Sequence, residues 1–374
     1  MKRFIAGLAA LAASGVALAQ GVTDAEIVLG QSAPLSGPAE QLGRDMRQGA
    51  LLYFNKLNAR GGVNGRRVEL KTLDDGYEPP RAAENTRRLI DQDRVFALFG
   101  YVGTPTSQAS LPIFTEARVP FVGAFTGAQL LREPFNPYIF NIRASYYDET
   151  EAIVQHLTAT SIDRIAVFYQ DDAYGQAGLA GVERALAKRK LAVLAKGTVQ
   201  RNTVEVKQAV ATLSKADAQA VVMICAYKSC AQFIREMKKA GSAPHFWNVS
   251  FVGSRALEKE LGRDARGVEI SQVVPFPWDN TIPIVHEYRK ALQEAGGGGE
   301  PSFGTLEGYI AAKVTAEGLR RAGRNLTRDS FIRAMESMGD YDVGGFRVTF
   351  GPNDHDASTF VDLTLITKDG KFMH

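Results

Sequence analysis

Residues 95–124 read VFALFGYVGTPTSQASLPIFTEARVPFVGA. The run from Val95 to Tyr101 is short, apolar and aromatic, which predicts a buried strand, and Val119 to Ala124 predicts a second one. The stretch from Thr104 to Ala117 between them predicts a helix. A strand, a helix and a second strand in this order predict two parallel strands joined by a crossover helix, the unit of an open α/β sheet.

The same alternation continues in both directions from this stretch. Upstream, Glu26–Gly30 and Arg67–Lys71 predict strands, Gly43–Arg60 predicts a helix, and Pro79-Pro80 opens another that runs to about Gln92. Downstream, the alternation restarts after about residue 145, with strands predicted at 164–169, 191–198, 220–226, 245–249 and 268–274 and helices at 174–189, 203–215 and 229–240. The chain therefore contains two doubly wound α/β units, residues 22–143 and 144–273.

The C-terminal part departs from this alternation. Helices are predicted at 284–294, 305–322 and 328–338, and strands at 345–350 and 361–367. These elements have to be shared between the two units, so we expect two doubly wound α/β lobes with a central cleft and three hinge crossings. The expected lobes are residues 20–143 plus about 278–343, and 144–277 plus about 344–374. The expected hinges lie near 142–144, 275–277 and Gly344-Gly345.

The first 19 residues have the pattern of a secretory signal peptide. Lys2 and Arg3 precede an apolar run from Phe4 to Leu18, and Ala17-Leu18-Ala19 fits a cleavage site before Gln20. We therefore expect a protein without a lipid anchor that works in the periplasm; an uncleaved membrane anchor is the alternative. The 374 residues carry a formal net charge of only +3, which makes nucleic acid an unfavoured partner.

The sequence contains no recognisable catalytic or metal motif. The five histidines have no metal-ligand spacing, and Asp354-His355-Asp356 in a turn-rich stretch predicts a solvated loop. Asp74-Asp75 and Asp171-Asp172 follow strands, where carboxylates can serve in acid–base catalysis but more often cap helices. We therefore expect no enzyme, no cofactor and no metal. Cys225 and Cys230 permit a short-loop disulfide, with two buried thiols as the alternative.

Polar and aromatic residues follow several of the predicted strands. Thr104 and Thr126 lie just after strands of the first unit, and Tyr174, Tyr227 and Ser250 lie just after strands of the second. Each alone fits capping or packing, but together they line the edge where open α/β sheets bind ligands. The predicted ligand-binding residues are Gly103, Thr104, Thr106, Phe125, Thr126, Tyr147, Tyr174, Tyr227 and Ser250.

Four motifs carry a resemblance to a known family. They are residues 33–38 (APLSGP), 58–65 (NARGGVNG), 170–175 (QDDAYG) and 369–372 (DGKF), together with Asp74-Asp75. In this combination the mature chain resembles the type I periplasmic binding proteins, specifically the leucine/isoleucine/valine-binding family of ABC importers. The resemblance implies capture of a small molecule by hinged closure and delivery to the membrane subunits of an ABC permease. A ligand sensor that regulates a partner protein is the alternative, and a secreted hydrolase is a further one.

The resemblance also implies roles for individual residues. Gly103, Thr104, Phe125 and Thr126 match the positions that hold the ligand's α-carboxylate, with Thr106 as the alternative to Thr104. The implied tyrosines that close over the ligand are Tyr174 and Tyr227.

Two positions depart from the family pattern. Ser250 stands where classical members place a glutamate that receives the ligand's α-ammonium group, and Leu42 stands at an aromatic position. A serine cannot neutralise a buried cation. Either Asp171, Asp172 or Asp148 replaces the glutamate, or the ligand has no ammonium group. The expected ligand is therefore an amino acid or a related small carboxylate.

Overall fold

The computed structural model describes residues 20–296 and 299–374, so the expected signal peptide lies outside the described residues. The first lobe is built on a five-stranded parallel sheet in the order β2-β1-β3-β4-β5. Its strands and the helices between them are β1 (Glu26–Ala33), α1 (Glu40–Ala59), β2 (Arg67–Asp74), α2 (Pro79–Arg87), β3 (Ala97–Phe99), α3 (Thr104–Glu116), β4 (Phe121–Val122) and β5 (Ile139–Phe140).

The second lobe is built on a seven-stranded sheet in the order β14-β13-β10-β9-β8-β6-β7. Strands β6 to β10 are parallel, and β13 and β14 are added antiparallel at one edge. The elements up to β10 are α4 (Tyr146–Ala159), β6 (Ile165–Gln170), α5 (Ala173–Ala187), β7 (Lys196–Val199), α6 (Lys207–Leu213), β8 (Ala220–Ile224), α7 (Tyr227–Lys239), β9 (His245–Asn248), α8 (Ser254–Leu261) and β10 (Val268–Gln272).

The C-terminal elements are divided between the lobes. They are α9 (Pro283–Glu294), α10 (Phe303–Ala322), α11 (Arg328–Glu336), β11 (Gly339–Asp342), β12 (Arg347–Phe350), β13 (Asp362–Ile366) and β14 (Phe372–Met373). The helices α9 and α10 pack on α1 of the first lobe, whereas β13 pairs with β10 of the second. The predicted fold class, two doubly wound α/β lobes linked by three chain crossings, is confirmed.

The third crossing lies later in the chain than the sequence predicted. Gly344 and Gly345, with φ of 118° and 82°, form the turn of the β11–β12 hairpin instead of a hinge. This hairpin packs on the first lobe: the Ile284 N–H donates to the Gly344 carbonyl at 2.8 Å, and the rings of Phe350 and Phe140 are 5.6 Å apart. The chain therefore crosses to the second lobe between β12 and β13, through residues 351–361.

The predicted solvated loop at Asp354-His355-Asp356 is wrong, because this segment is part of the third crossing. The backbone of Asn141 bonds to residues 355 and 357, and the His355 ring stacks on Phe140 with its centroid 4.0 Å away. Asp356 pairs with the buried Arg132 at 2.6 Å. The first and third crossings therefore run side by side, and the ion pair with Arg132 holds the third crossing against the first lobe.

Candidate functional site

Side chains from both lobes meet where the parallel strands end. Tyr77 follows β2 and Phe125 follows β4, and their rings lie 5.9 and 5.6 Å from the ring of Phe251, which follows β9 of the second lobe. The amide of Gln170, the last residue of β6, donates to the Tyr77 hydroxyl at 3.3 Å. All four side chains are buried. The lobes are therefore in contact across the predicted cleft, in a closed arrangement.

Three hydroxyl groups form the polar centre of this cleft. The Thr104 and Thr126 hydroxyls are 2.7 Å apart, and the Thr126 hydroxyl donates to the Tyr146 hydroxyl at 3.2 Å. Gly103 makes the close packing possible: at its φ of 99°, a Cβ would lie 2.2 Å from the Tyr77 ring. Burial raises the pKa of Tyr146 to about 12, so its hydroxyl keeps its proton at neutral pH.

Tyr174 covers this centre from the second lobe. Its ring lies 4.5 Å from that of Phe251 and 5.5 Å from that of Tyr146, and the residue is fully buried. Asp172 positions it by accepting the Tyr174 N–H at 2.9 Å as the N-cap of α5. The Tyr174 hydroxyl has no hydrogen-bond partner among the described residues. It can therefore bond to a molecule enclosed in the cleft.

Two of the predicted residues, Thr106 and Tyr147, lie outside this centre. The Thr106 hydroxyl donates to the carbonyls of Val102 and Gly103 and so caps its own helix. Tyr147 is half-buried on another face of α4, against the guanidinium of Arg184, and the adjacent Tyr146 takes the place predicted for it. Helical geometry explains the different positions of the two tyrosines, because neighbouring residues of a helix point in directions about 100° apart.

Tyr227 lies beside a separate cavity of about 740 Å³ between the lobes. Glu40 and Asp45 of α1 line it from the first lobe, and Tyr227, Lys228 and Lys259 line it from the second. Tyr227 begins α7, immediately after β8. The bond between Cys225 and Cys230 closes a short loop around this helix start, with the two Cα atoms 5.6 Å apart. The disulfide therefore lies at the edge of this cavity.

A buried charged cluster lies behind the rings. The Arg143 guanidinium donates to a Glu149 carboxylate oxygen at 3.1 Å and also to the Ser250 hydroxyl. Glu307 of α10 approaches the other side of Arg143, with 3.4 Å between Oε1 and Nη1. Burial raises the pKa of Glu307 to about 7, although the Arg143 charge lowers it. The Ser250 hydroxyl thus contacts the Arg143 cation. The family resemblance implied that this position holds a glutamate, which would receive the ligand's ammonium group.

An ion-pair network, here called the latch, joins the lobes at the outside of the cleft. It consists of Glu78 from the first lobe and Asp172, Arg201 and Asn202 from the second. Arg201 lies 3.0 Å from Glu78 and 3.3 Å from Asp172, and Asn202 donates to Glu78 at 2.7 Å. The bonds to Glu78 join the two lobes, so they form only when the lobes are together and stabilise the closed form, whereas the Arg201–Asp172 pair lies within the second lobe.

The paired aspartates Asp74 and Asp75 stabilise loops through hydrogen bonds. This agrees with the structural role that the sequence favoured over acid–base catalysis. Asp74 accepts the Leu35 N–H at 2.8 Å, and Asp75 accepts the Ser32 hydroxyl and the Tyr77 N–H at 2.7 and 2.8 Å. Asp75 thereby holds Tyr77 in the cleft. Within residues 20–296 and 299–374, no group of acidic, histidine or cysteine side chains is arranged to hold a metal ion. No helix in that same part of the chain is long and apolar enough to cross a membrane.

Sequence reasoning missed six residues of the cleft: Tyr77, Arg143, Tyr146, Glu149, Phe251 and Glu307. Tyr77 and Phe251 follow strands, so the rule that found Thr126 could have found them. Tyr146 could have been found from the capping box of Ser145 and Asp148, which marks the start of α4. Nothing in the sequence pairs Arg143 with Glu307, because the two residues meet only through the crossing of the chain.

The model of the periplasmic binding protein family matches residues 26–371. The chain belongs to this family. A solved structure, a possible leucine/isoleucine/valine-binding protein from Rhodopirellula baltica SH 1, is similar to this periplasmic binding protein, with 38% identity, a TM-score of 0.90 and coverage of 94% of this chain and 97% of that one.

Curated relatives agree with this assignment. An amino acid binding protein from Pseudomonas aeruginosa is 24% identical over 87% of this chain and 86% of its own. A Leu/Ile/Val-binding protein homolog 7 from Brucella suis is 26% identical over 84% of this chain and 82% of its own. The predicted membership of the leucine/isoleucine/valine-binding family is confirmed. The homologues and the fold are those of solute-binding proteins and not of enzymes.

Proposed function

We propose that this periplasmic binding protein is the substrate-binding component of an ABC importer and captures an amino acid or a related small carboxylate. The observation that carries the proposal is the buried group of hydroxyls and rings that both lobes contribute at the ends of their parallel strands. Ligands of open α/β folds bind at this edge. A ligand enclosed there contacts both lobes at once, which favours the closed form over the open one.

The proposed binding residues divide by chemistry. Thr104 and Thr126 offer hydroxyls at the N-terminus of α3, where the helix dipole favours a carboxylate. Tyr174, Phe125 and Phe251 enclose the apolar part of the ligand. Tyr227 and the cavity beside it form the outer part of the cleft.

The proposal extends to location and partners. A signal peptide at residues 1–19 directs the chain to the periplasm, and the closed form docks on the membrane subunits of an ABC permease, which accept the ligand. The lobes are proposed to move about the crossings near residues 143 and 277 and in 351–361, where the chain passes between the sheets. The domain boundaries follow from these crossings.

A thermal-melting screen of the mature chain tests this function. The screen uses amino acids, aliphatic acids and aromatic acids, and a true ligand raises the melting temperature in proportion to the logarithm of its concentration. Small-angle scattering then checks for a decrease in the radius of gyration with the same compound. For delivery, uptake of that compound is measured in cells that lack this chain. The importer proposal fails if the ligand binds and closes the lobes but uptake does not depend on the protein.

A further inference from the structure

Arg143, between β5 and α4, is a buried cation at the inner end of the cleft. Its side chain is 1% exposed, and its guanidinium carbon lies 5.1 Å from the ring centroid of Phe125 and 6.0 Å from that of Tyr146. Its Nε atom has no hydrogen-bond partner among the described residues, and its Nη1 atom has only the ion pair with Glu307 at 3.4 Å. Buried donors without an acceptor are costly, so this guanidinium can accept an anion with a gain in free energy.

Glu149, the nearest carboxylate, is already fully engaged. One of its oxygens accepts the Ser250 N–H at 2.7 Å and the Ser271 hydroxyl at 2.6 Å. The other accepts the Ser250 hydroxyl at 3.0 Å and the Arg143 guanidinium at 3.1 Å. Four donors saturate the lone pairs of a carboxylate. Glu149 therefore balances Arg143 and has no position left for a ligand ammonium group.

The three aspartates that could have replaced the family glutamate are also engaged elsewhere. Asp148 accepts the Ser145 hydroxyl and N–H in the capping box of α4. Asp172 caps α5 and belongs to the latch. Asp171 is exposed and accepts the Gln200 amide at 2.9 Å. None of the three presents an unpaired carboxylate to the cleft.

Glu307 is the remaining acidic group that faces Arg143. An ammonium group placed beside Glu307 would also lie beside the Arg143 guanidinium, 3.4 Å from that carboxylate, and would be repelled by it. Glu307 is buried, and Arg143 and Glu149 are the charged groups that act on it most strongly. Because burial disfavours its charged form, Glu307 is a weak receptor for a cation.

We propose that the inner end of the cleft, apart from the outer cavity lined by Glu40 and Asp45, selects a carboxylate that carries no ammonium group, with the guanidinium of Arg143 as the positive charge that faces it. This inference rests on the proposed function and names the class of its substrate. This substrate class differs from the amino acids that appear in the names of the relatives. The rings of Phe125, Tyr146 and Phe251 beside the guanidinium favour an acid with an apolar chain or an aromatic ring.

The direct test compares pairs of compounds that differ only in the ammonium group. The pairs are 4-methylpentanoate with leucine and 3-phenylpropanoate with phenylalanine, measured by calorimetry on the wild-type chain at pH 7. We expect at least one acid to bind about tenfold or more tightly than its amino acid, because a cation beside Arg143 is repelled. Equal or tighter binding of the amino acids would overturn the inference.

Variants connect the selectivity to Arg143. Arg143→Lys keeps the positive charge but loses the planar fork, so we expect about tenfold weaker binding of the acid. Arg66→Lys is the matched control, because Arg66 is equally buried but bonds to the carbonyls of Thr23 and Arg324, away from the cleft. If Arg143→Lys does not fold, Glu307→Gln provides the test. It removes the competing carboxylate, so the acid should bind more tightly at pH 8, and unchanged affinity would contradict the assignment.

The outcomes separate this inference from the function on which it rests. Binding of leucine or phenylalanine but not of the acids leaves ligand capture intact and removes the role of Arg143. If neither the acids nor the amino acids bind in the melting screen, the proposed capture of small carboxylates is itself wrong. Binding of an acid that Arg143→Lys and Arg66→Lys weaken equally shows a general packing effect and also overturns the inference.

Discussion

The hydroxyl of Thr126 lies between those of Thr104 and Tyr146, at 2.7 and 3.2 Å. Thr126→Val keeps the shape of the side chain and removes this link, so we expect about tenfold weaker ligand binding and a loss of about 1 kcal/mol in the free energy of unfolding. Calorimetry and denaturant titration measure the two effects. Thr315→Val is the control, because the buried Thr315 hydroxyl bonds only within α10, to Ala311. A similar loss of binding in both variants would contradict the role of Thr126.

Glu307 gives a prediction about pH. Its pKa is raised from 4.5 to about 7 by burial, so the folded protein holds a proton there that the unfolded chain releases above its lower pKa. Its contribution to stability is therefore most favourable below about pH 4.5 and is lost as the pH rises to about 7. Glu307→Gln removes this loss. The variant should gain up to about 3 kcal/mol over the wild type between pH 5 and pH 8 in denaturant titrations. A difference in the free energy of unfolding between variant and wild type that does not change with pH would contradict this prediction.

The sequence identifies single residues of the site only where a local rule applies. Thr104, Thr126 and Tyr174 were predicted because each follows a strand, and the structure brings them near one another. Arg143 and Glu307 were not predicted, because their contact depends on the position of α10 against the first crossing. Charge pairs between distant segments leave no periodic signal in a single sequence.

Among the elements, those with a long apolar pattern were predicted best. The helices α1, α3 and α10 and the strands β1 and β6 begin or end within a few residues of the predicted limits. The strand β5 was missed because it has only two residues, Ile139 and Phe140, in a segment rich in turns. The helices α4 and α8 were missed, the latter because it has only eight residues and follows a tight turn at Gly253.

The direction of α4 gives a prediction that separates two adjacent tyrosines. Tyr146 faces Thr126 in the cleft, whereas Tyr147 packs against Arg184 of α5. Tyr146→Phe removes the hydroxyl at the polar centre and should weaken ligand binding by about threefold to tenfold. Tyr147→Phe should leave the affinity unchanged within error. Calorimetry measures the affinity of both variants. A larger loss of affinity in Tyr147→Phe than in Tyr146→Phe would contradict the assignment of Tyr146 to the cleft.

In the proposed function the whole molecule moves between an open and a closed form, and the bonds of the latch to Glu78 act only in the closed one. Arg201→Gln removes the bonds to Glu78 and Asp172, which are partly exposed and so contribute about 1 kcal/mol at most. We expect the rate constant of ligand dissociation to rise about twofold to fivefold, with little change in association. Stopped-flow fluorescence measures both. Arg164→Gln is the control, since its exposed pair with Asp217 lies within the second lobe. Equal dissociation rates in wild type and Arg201→Gln would exclude the latch.

The division of the C-terminal elements between the lobes has a consequence for how the protein acquires its structure. The helix α10 packs on α1 of the first lobe, and the second sheet is completed at its edge by β13, so each lobe includes chain from the last quarter of the sequence. Contacts between such distant segments form slowly, because a long loop must close before they are made. A fragment that stops at residue 277 keeps the strands β1 to β10 but loses the helix that packs on α1 in the first lobe and the edge strands of the second sheet. We therefore expect that neither lobe folds as a single continuous fragment and that folding is completed only once both crossings that follow β10 have been made.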